Sequence, residues 1–190
     1  MAGVMIALGG AVNLIQGGVI GAILFSVGLL TILSLRMELF TGKAGLYVSN
    51  KITLTKLYEI WLGNFVGAGF VALTLLQTPK NIILLNKASE ILAVRASNGF
   101  FVNLIYGIFC GILMFAAVKS WAINEGKPLY AIFPVAVFIL CGFNHCVADM
   151  FYLTLSGFDI TKSLTLIPTT IGNFIGCNII SWSFNKNILT

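Results

Sequence analysis

Long apolar segments separated by short polar stretches run along the whole chain and predict helices that cross a membrane. A spanning helix needs about 20 residues, so 190 residues accommodate six spans with short connections. Four of these spans are continuous apolar segments, at 1–16, 57–76, 100–118 and 164–184. The second and fifth spans, at 17–48 and 129–155, contain polar residues inside otherwise apolar segments. The longest connection, 77–95, is half apolar and is expected to lie against the membrane.

The polar interruptions predict that the second and fifth spans are broken helices. Arg36, Glu38 and Lys43 fall within eight positions of one another in the second span. In the fifth, Gly142 and the pair Asn144-His145 divide a helix that would be about 40 Å long, more than the hydrocarbon thickness of roughly 30 Å. Irregular backbone survives in a membrane only where it is buried in protein or lines a cavity. The two breaks are therefore expected to mark a pore.

A five-residue motif, Gly-Asn-Phe-x-Gly, occurs at 63–67 and again at 172–176, a separation of 109 positions. The breaks at Glu38 and His145 are separated by 107 positions, so each motif follows its break at nearly the same distance. Three spans in each half make the halves run in opposite directions through the membrane. The sequence predicts an all-α membrane protein with one domain at 1–190, built as a 3+3 inverted repeat of about 1–78 and 98–186.

The composition agrees with a membrane protein, since 58% of residues are hydrophobic, 9% are charged and the mean hydropathy is +1.00. A soluble domain carries about 25% charged residues. The net charge of +5 forms no basic arm, so no nucleic-acid partner is expected. More lysines fall on one side of the predicted topology (51, 56, 119, 127 and 186) than on the other (80, 87 and 162), which predicts that the first side is cytoplasmic. A multi-pass protein of the cytoplasmic membrane is expected.

The chain shows no pattern typical of an enzyme, a metal site or a cofactor site. It has no nucleophile–base pair and no phosphate-binding loop, and its one histidine has no glutamate or cysteine at ligand spacing. Its four cysteines lie in apolar segments without Cys-x-x-Cys spacing, which is typical of small buried residues. Residues 1–8 are apolar and lack the charged leader of a signal peptide. The first span is thus expected to begin almost at Met1, through an internal start or the loss of a preceding segment.

The two breaks contain the side chains that carry candidate chemistry. His145 is ionisable and lies deep in a span, which favours a functional role, although a hydrogen-bonded structural histidine at a helix end is the alternative. Glu38 and Asp149 could bind a cation or cap free backbone N–H groups, and capping or holding the loop is favoured for Glu38. The Thr41 hydroxyl can donate to an anion or to His145.

The repeated motifs suggest a structural role for their asparagines and glycines. Asn64 and Asn173 are expected to tie the broken backbone across the repeat axis. The glycines have the GxxxG spacing that lets helices approach closely in lipid.

Three sequence features together resemble the formate/nitrite transporter family: Glu-Leu-Phe-Thr-Gly at 38–42, Phe-x-His-x-x-Ala-x-Met at 143–150, and the two Gly-Asn-Phe-x-Gly motifs. The resemblance runs from Gly3 to the end of the sixth span. It implies a homopentamer of aquaporin-like protomers, each with its own pore for small monovalent anions. Formate, nitrite, hydrosulfide and lactate are the substrate types of this family.

The resemblance also implies roles for individual residues. His145 matches the central histidine, and Thr41 belongs to the omega-shaped loop at the first break. The residues matching pore constrictions are Phe25, Leu29, Leu39, Phe40, Met114, Phe138 and Ala148. Arg95, fifteen positions before Cys110, stands where the family carries a vestibule lysine. The structural positions at the breaks are Glu38, Asn64, Asn144, Asp149 and Asn173.

Several residues depart from the family pattern and leave substrate choice and gating open. Asn144 replaces a usual glutamate, and Asp149 replaces a usual asparagine. Arg36 stands where small residues are common, and Gly111 stands where asparagine is usual. Arg95 keeps lysine's charge without its geometry. The amphipathic segment expected before the first span is absent.

These residues suggest how an anion would pass. Arg95 would raise the local anion concentration, helix N-termini at the breaks would supply N–H donors, and apolar rings of Phe25, Leu29, Phe40 and Phe138 would reject hydrated ions. His145 would carry a positive charge facing the anion or hand it a proton, since an unperturbed imidazole titrates at about pH 6.5. Acid-stimulated or proton-coupled passage is therefore predicted, with the anion, the proton and the lipid bilayer as partners.

Other functions fit the sequence less well. A neutral-solute facilitator of aquaporin type would need Asn-Pro-Ala at the breaks, which the chain lacks, and an ammonia channel usually pairs two histidines. A membrane enzyme or assembly scaffold lacks any supporting motif. A non-conducting truncated paralogue is the remaining alternative, because the first span is short.

Overall fold

The computed structural model describes the backbone of residues 1–187 and the side chains of residues 1–183, so the side chain of Lys186 lies outside it. All regular structure in this part of the chain is helical. The helices are α1 (Ala2–Gln16), α2 (Gly18–Ser34), α3 (Phe40–Lys43), α4 (Leu54–Leu75), α5 (Asn81–Ile123), α6 (Leu129–Leu140), α7 (Cys146–Ser156), α8 (Ile160–Leu164) and α9 (Leu166–Asn187). A short 3-10 turn, Ala44–Leu46, follows α3.

Within the part of the chain that the structure describes, three helical segments are long and apolar enough to cross a bilayer: Leu54–Leu75, Asn81–Ile123 and Ile160–Ser183. Four shorter apolar helices of 10–17 residues accompany them, namely α1, α2, α6 and α7. The interruptions expected in the second and fifth spans occur at 35–39 and 141–145. Both consist of two turn residues followed by three non-helical ones. The two halves of the chain therefore break their helices in the same way.

Helix α5 differs from the sequence prediction, because the connection at 77–95 is mostly helical. The helix runs from Asn81 to Ile123 and is interrupted only at Gly99, with φ 71° and ψ −177°. Positive φ favours glycine. The Asn103 amide donates to the carbonyl oxygens of Arg95 and Gly99, both at 2.7 Å, and so holds the kink. Leu84, Ala88 and Leu92 form a buried stripe before it, but the polar residues between them obscured the helical pattern.

The second Gly-Asn-Phe-x-Gly motif brings α9 against α5. A Cβ on Gly172 or Gly176 would collide with the carbonyl oxygens of Leu104 and Ile108. Gly63 in the first motif has no atom within 4 Å of the equivalent position. Close helix approach occurs at the first motif as well, because a Cβ on Gly3 of α1 would collide with the carbonyl oxygen of Asn64 and a Cβ on Gly67 would lie 3.2 Å from Val4 N. Gly63 itself is exposed and has open space at this position.

Helix α7 occupies the centre of the fold. Every residue from Cys146 to Leu155 is buried, and α7 packs against α1, α4, α5 and α9. Apart from Asp149, Thr154 and the terminal Ser156 the helix is apolar, and a helix with apolar residues on every face belongs in such a position. The N-cap residue of α7, His145, therefore lies in the interior, at 1% exposure.

Candidate pore site

The two motif asparagines hold the broken backbone. The Asn64 side-chain oxygen accepts from the N–H of Phe40 at 2.9 Å, and its amide donates to the carbonyl oxygen of Glu38 at 3.0 Å. Asn173 makes the same two bonds one repeat later, accepting from Cys146 N–H and donating to Asn144 O, both at 2.8 Å. Each asparagine therefore holds the break of its own half, so the prediction that they act across the repeat axis is wrong.

These bonds make Leu39 and His145 equivalent positions. Each residue is the N-cap directly before the helix that follows its break and has an extended backbone, with φ and ψ of −102° and 134° for Leu39 and −108° and 113° for His145. The leucine provides no side-chain cap. The histidine does, because its Nδ1 accepts from Ala148 N–H at 3.2 Å. The first half thus contributes an apolar side chain at this point, and the second half contributes an imidazole.

His145 joins the two halves through Thr41. Its Nε2 lies 3.0 Å from the Thr41 hydroxyl oxygen, and both side chains are buried. Because Nδ1 accepts from Ala148, the hydrogen-bond network assigns the proton of the neutral ring to Nε2. Nε2–H then donates to the Thr41 oxygen, and the Thr41 proton stays available to another acceptor. The Phe138 ring stacks on the imidazole with centroids 5.7 Å apart.

Two cavities lie beside this pair: His145 lines the first, and Gly42 and Lys43, which follow Thr41, line the second. The histidine vestibule, of about 290 Å³, is lined by Asn13, Ile91, Val94, Arg95, Asn98, Tyr106, Phe138, Ile139, Gly142, Phe143, Asn144, His145, Ala148 and Tyr152. The lysine vestibule, of about 350 Å³, is lined by Leu29, Ile32, Leu33, Arg36, Met37, Leu39, Gly42, Lys43, Leu46, Phe115, Val118, Lys119, Trp121 and Ala122. They share no lining residue.

Several predicted constriction residues line the two vestibules. Leu29 and Leu39 face the lysine vestibule, whereas Phe138 and Ala148 face the histidine vestibule. Phe25 is buried and packs edge-on against Phe138, with ring centroids 5.7 Å apart. The structure therefore brings four of the predicted residues to the vestibule walls and a fifth behind one of them.

Two other predicted constriction residues lie elsewhere. Met114 is buried but lines neither vestibule. Phe40 lines an apolar groove that it shares with Trp61 of α4 and Phe174 of α9. Their roles in a constriction stay predictions.

Arg95 reaches the histidine vestibule as an ion-paired residue. Its guanidinium contacts the Asp149 carboxylate, and both residues are buried, at 8% and 0% exposure. The Arg95 guanidinium carbon also lies 5.7 Å from the centre of the Tyr152 ring. Asp149 therefore neutralises the cation that was expected to attract anions at this site.

Of the remaining polar residues at the breaks, Asn144 is held through its side chain and Glu38 through its backbone. The Asn144 amide donates to the Asn103 side-chain oxygen at 2.8 Å. The Glu38 carboxylate is half exposed, lies 3.9 Å from Lys56 Nζ, and caps no helix. The expected capping by Glu38 is absent, and its backbone carbonyl, held by Asn64, fixes the loop instead.

Asn103 and Tyr152 were not identified from the sequence, although a buried asparagine inside the fourth apolar span was an available signal. Among the residues that the structure describes, no group of three His, Cys, Asp or Glu side chains is placed to hold a metal.

Known transporters share long stretches of this sequence. The chain is 28% identical to the formate channel FocA of Haemophilus influenzae, 33% to the uncharacterised transporter YrhG of Bacillus subtilis and 31% to the formate channel BtFdhC of Bacillus thuringiensis. Each match covers 83% of this chain and 69%, 66% and 68% of the respective relative. The chain thus spans about two thirds of their length. These relatives are channels and transporters rather than enzymes, as expected.

Solved structures share the fold. A pentameric formate channel with formate bound superposes with a TM-score of 0.83 at 21% identity, over 99% of this chain and 93% of that one. An FNT family ion channel gives 0.80 at 24% identity, over 100% and 87%. The protein is therefore an all-helical membrane protein with the fold of these channels. A family model described as formate/nitrite transporter matches residues 1–184 and confirms the predicted family. The chain belongs to the formate/nitrite transporter family.

Proposed function

We propose that this protein is a passive, acid-stimulated channel for small monovalent anions such as formate, nitrite or hydrosulfide. The observation that carries the proposal is the buried hydrogen bond between Thr41 and His145, which lies beside two cavities and beside apolar side chains. The relatives named as formate channels support the substrate class.

The proposed architecture has six spans in one domain, 1–190, with inverted halves at about 1–78 and 98–186. The matching bonds of Asn64 and Asn173 at the two breaks support this repeat. We further propose an aquaporin-like protomer in a homopentamer of the cytoplasmic membrane, a state supported by the pentameric structural relative. Each protomer would then hold its own pathway.

The proposed mechanism centres on the Thr41 hydroxyl. Since the Thr41 oxygen accepts a hydrogen bond from His145 Nε2, the Thr41 O–H group can donate a hydrogen bond to an anion. Phe138, Leu29 and Leu39 surround this step with apolar surface. A charged solute pays a large desolvation cost there, whereas the protonated acid does not. Passage is therefore expected to increase as the solution becomes more acidic.

The test is flux into liposomes that contain the purified chain. Formate uptake is measured between pH 5 and 8, and nitrite, hydrosulfide and lactate then compete with formate on the same preparation. Saturable uptake that rises with acidity supports the proposal. Water or methylamine flux without anion flux would identify a neutral-solute facilitator, and a stable oligomer without any flux would identify a non-conducting paralogue.

A further inference from the structure

The two vestibules carry different fixed charges. The lysine vestibule is lined by Lys43, Lys119 and Arg36, and none of the six acidic residues of the chain lines it. Lys43 and Lys119 are half-buried. The Lys119 ammonium lies 5.7 Å from the centre of the Phe115 ring, an arrangement that holds a cation without cancelling its charge. This end of the pathway is therefore positive.

Arg36 also lines a neighbouring cleft that contains Glu38 and Glu59, so these carboxylates compete with an anion for its guanidinium. Among the described residues, neither Lys43 nor Lys119 forms an ion pair with a carboxylate. These two ammonium groups are the cations that an anion in the lysine vestibule would meet without competition from a carboxylate.

The histidine vestibule has no net charge. Arg95 is the one lysine or arginine among its lining residues, and the buried Asp149 carboxylate pairs with it. The only other titratable groups at its wall are His145, Tyr106 and Tyr152. Because the ion pair is shielded from solvent, salt screens it little. An anion in the histidine vestibule therefore faces an arginine whose positive charge is already neutralised by Asp149.

We propose that the conduction pathway binds anions in the lysine vestibule only, with Lys43 and Lys119 as the anion-binding groups. In the histidine vestibule, Asp149 neutralises the charge of Arg95. This inference rests on the proposed function for its transport consequences. A passive pathway must have the same permeability in both directions at low concentration. The asymmetry is therefore expected in the half-saturating anion concentration, which is lower when formate is supplied to the lysine vestibule.

The transport test uses liposomes in which the protein has one orientation, with formate supplied from either side. The wild-type protein should saturate at a several-fold lower concentration from the lysine side. The double variant Lys43→Gln/Lys119→Gln should raise that value about tenfold and abolish its dependence on salt. Lys51→Gln/Lys127→Gln is the matched control, since it removes two exposed charges outside both vestibules, and it should change the value less than twofold.

Asp149→Asn tests the other end. Removing the carboxylate frees Arg95, so the half-saturating concentration from the histidine side should fall several-fold. Equal values from both sides in the wild-type protein, or equal behaviour of the Lys43/Lys119 variant and its control, would overturn the inference. If Asp149→Asn leaves the half-saturating concentration from the histidine side unchanged in a correctly assembled protein, the claim that Asp149 neutralises Arg95 would be overturned.

A second measurement does not need conduction. Trp121 lines the lysine vestibule and is one of three tryptophans. In a Trp61→Phe/Trp182→Phe background, tryptophan fluorescence therefore comes from this cavity alone. Quenching by iodide should fall several-fold in Lys43→Gln/Lys119→Gln, whereas quenching by neutral acrylamide should stay the same. If iodide quenching is the same with and without the two lysines, the proposed anion site is refuted even if formate flux is normal. Absent flux with lysine-dependent quenching would refute the proposed channel but retain the anion site.

Discussion

The Thr41 hydroxyl oxygen lies 3.0 Å from His145 Nε2, although 104 positions separate the two residues in the chain. Each side chain belongs to the break of a different half, and each break is held by its own asparagine. The contact therefore fixes the relative position of the two halves beside the two vestibules. Changes at either residue should affect transport more than folding.

Removing the Thr41 hydroxyl should reduce anion flux. Thr41→Val keeps the shape of the side chain but loses the donor, and a hydrogen bond to a charged group contributes about 1.5–3 kcal/mol. Formate flux in liposomes should fall about 10- to 100-fold. Thr41→Ser keeps a hydroxyl and is the control, with flux expected within about threefold of the wild type. A valine variant as active as the serine variant would remove the hydroxyl from the mechanism.

Substitution of His145 should change the pH profile of transport. Asn is a good helix-start residue, so His145→Asn preserves the role of capping Ala148 N–H, but its shorter side chain does not reach Thr41. His145→Phe loses both bonds. Both variants should lower formate flux between pH 5 and 8 and alter its dependence on acidity, and Phe should also reduce thermal stability. An unchanged flux and pH profile in the Asn variant would leave His145 with a structural role only.

The sequence located the breaks well and the partners of their side chains poorly. Polar residues are costly inside an apolar span, so Arg36 and Asn144-His145 stand out without any structure. The pairing of Arg95 with Asp149 could not be predicted, because it depends on how the helix before Gly99 packs against α7. Phe40 shows the same limitation, since its position in the chain does not determine which way its ring faces.

The two motif asparagines should differ in their contribution to stability. Asn173 donates to the carbonyl oxygens of Asn144 and Gly107 and accepts from Cys146 N–H, whereas Asn64 makes two bonds. Each buried polar group left without a partner costs about 1–3 kcal/mol. Asn173→Leu should therefore lower the thermal stability of the detergent-solubilised protein more than Asn64→Leu does.

The exposed Asn86 provides the control for this comparison, since Asn86→Leu removes an amide that holds no break. Its midpoint temperature should stay within a few degrees of the wild type. An Asn173→Leu protein as stable as the Asn86→Leu protein would show that the break does not depend on the motif.

Gly176 of the second motif and Gly63 of the first should respond in opposite ways to the same substitution. Gly176→Ala places a methyl group against the carbonyl oxygen of Ile108 and forces α9 away from α5, and such overpacking costs about 1–3 kcal/mol. Gly63→Ala meets no atom within 4 Å. Alanine is favoured over glycine in a helix by about 0.5–1 kcal/mol, so this variant should be as stable as the wild type or more stable. Thermal unfolding and size-exclusion chromatography in one detergent would compare them. Loss of the oligomer in Gly63→Ala, with an intact protomer, would contradict the expectation and locate Gly63 in a contact between subunits.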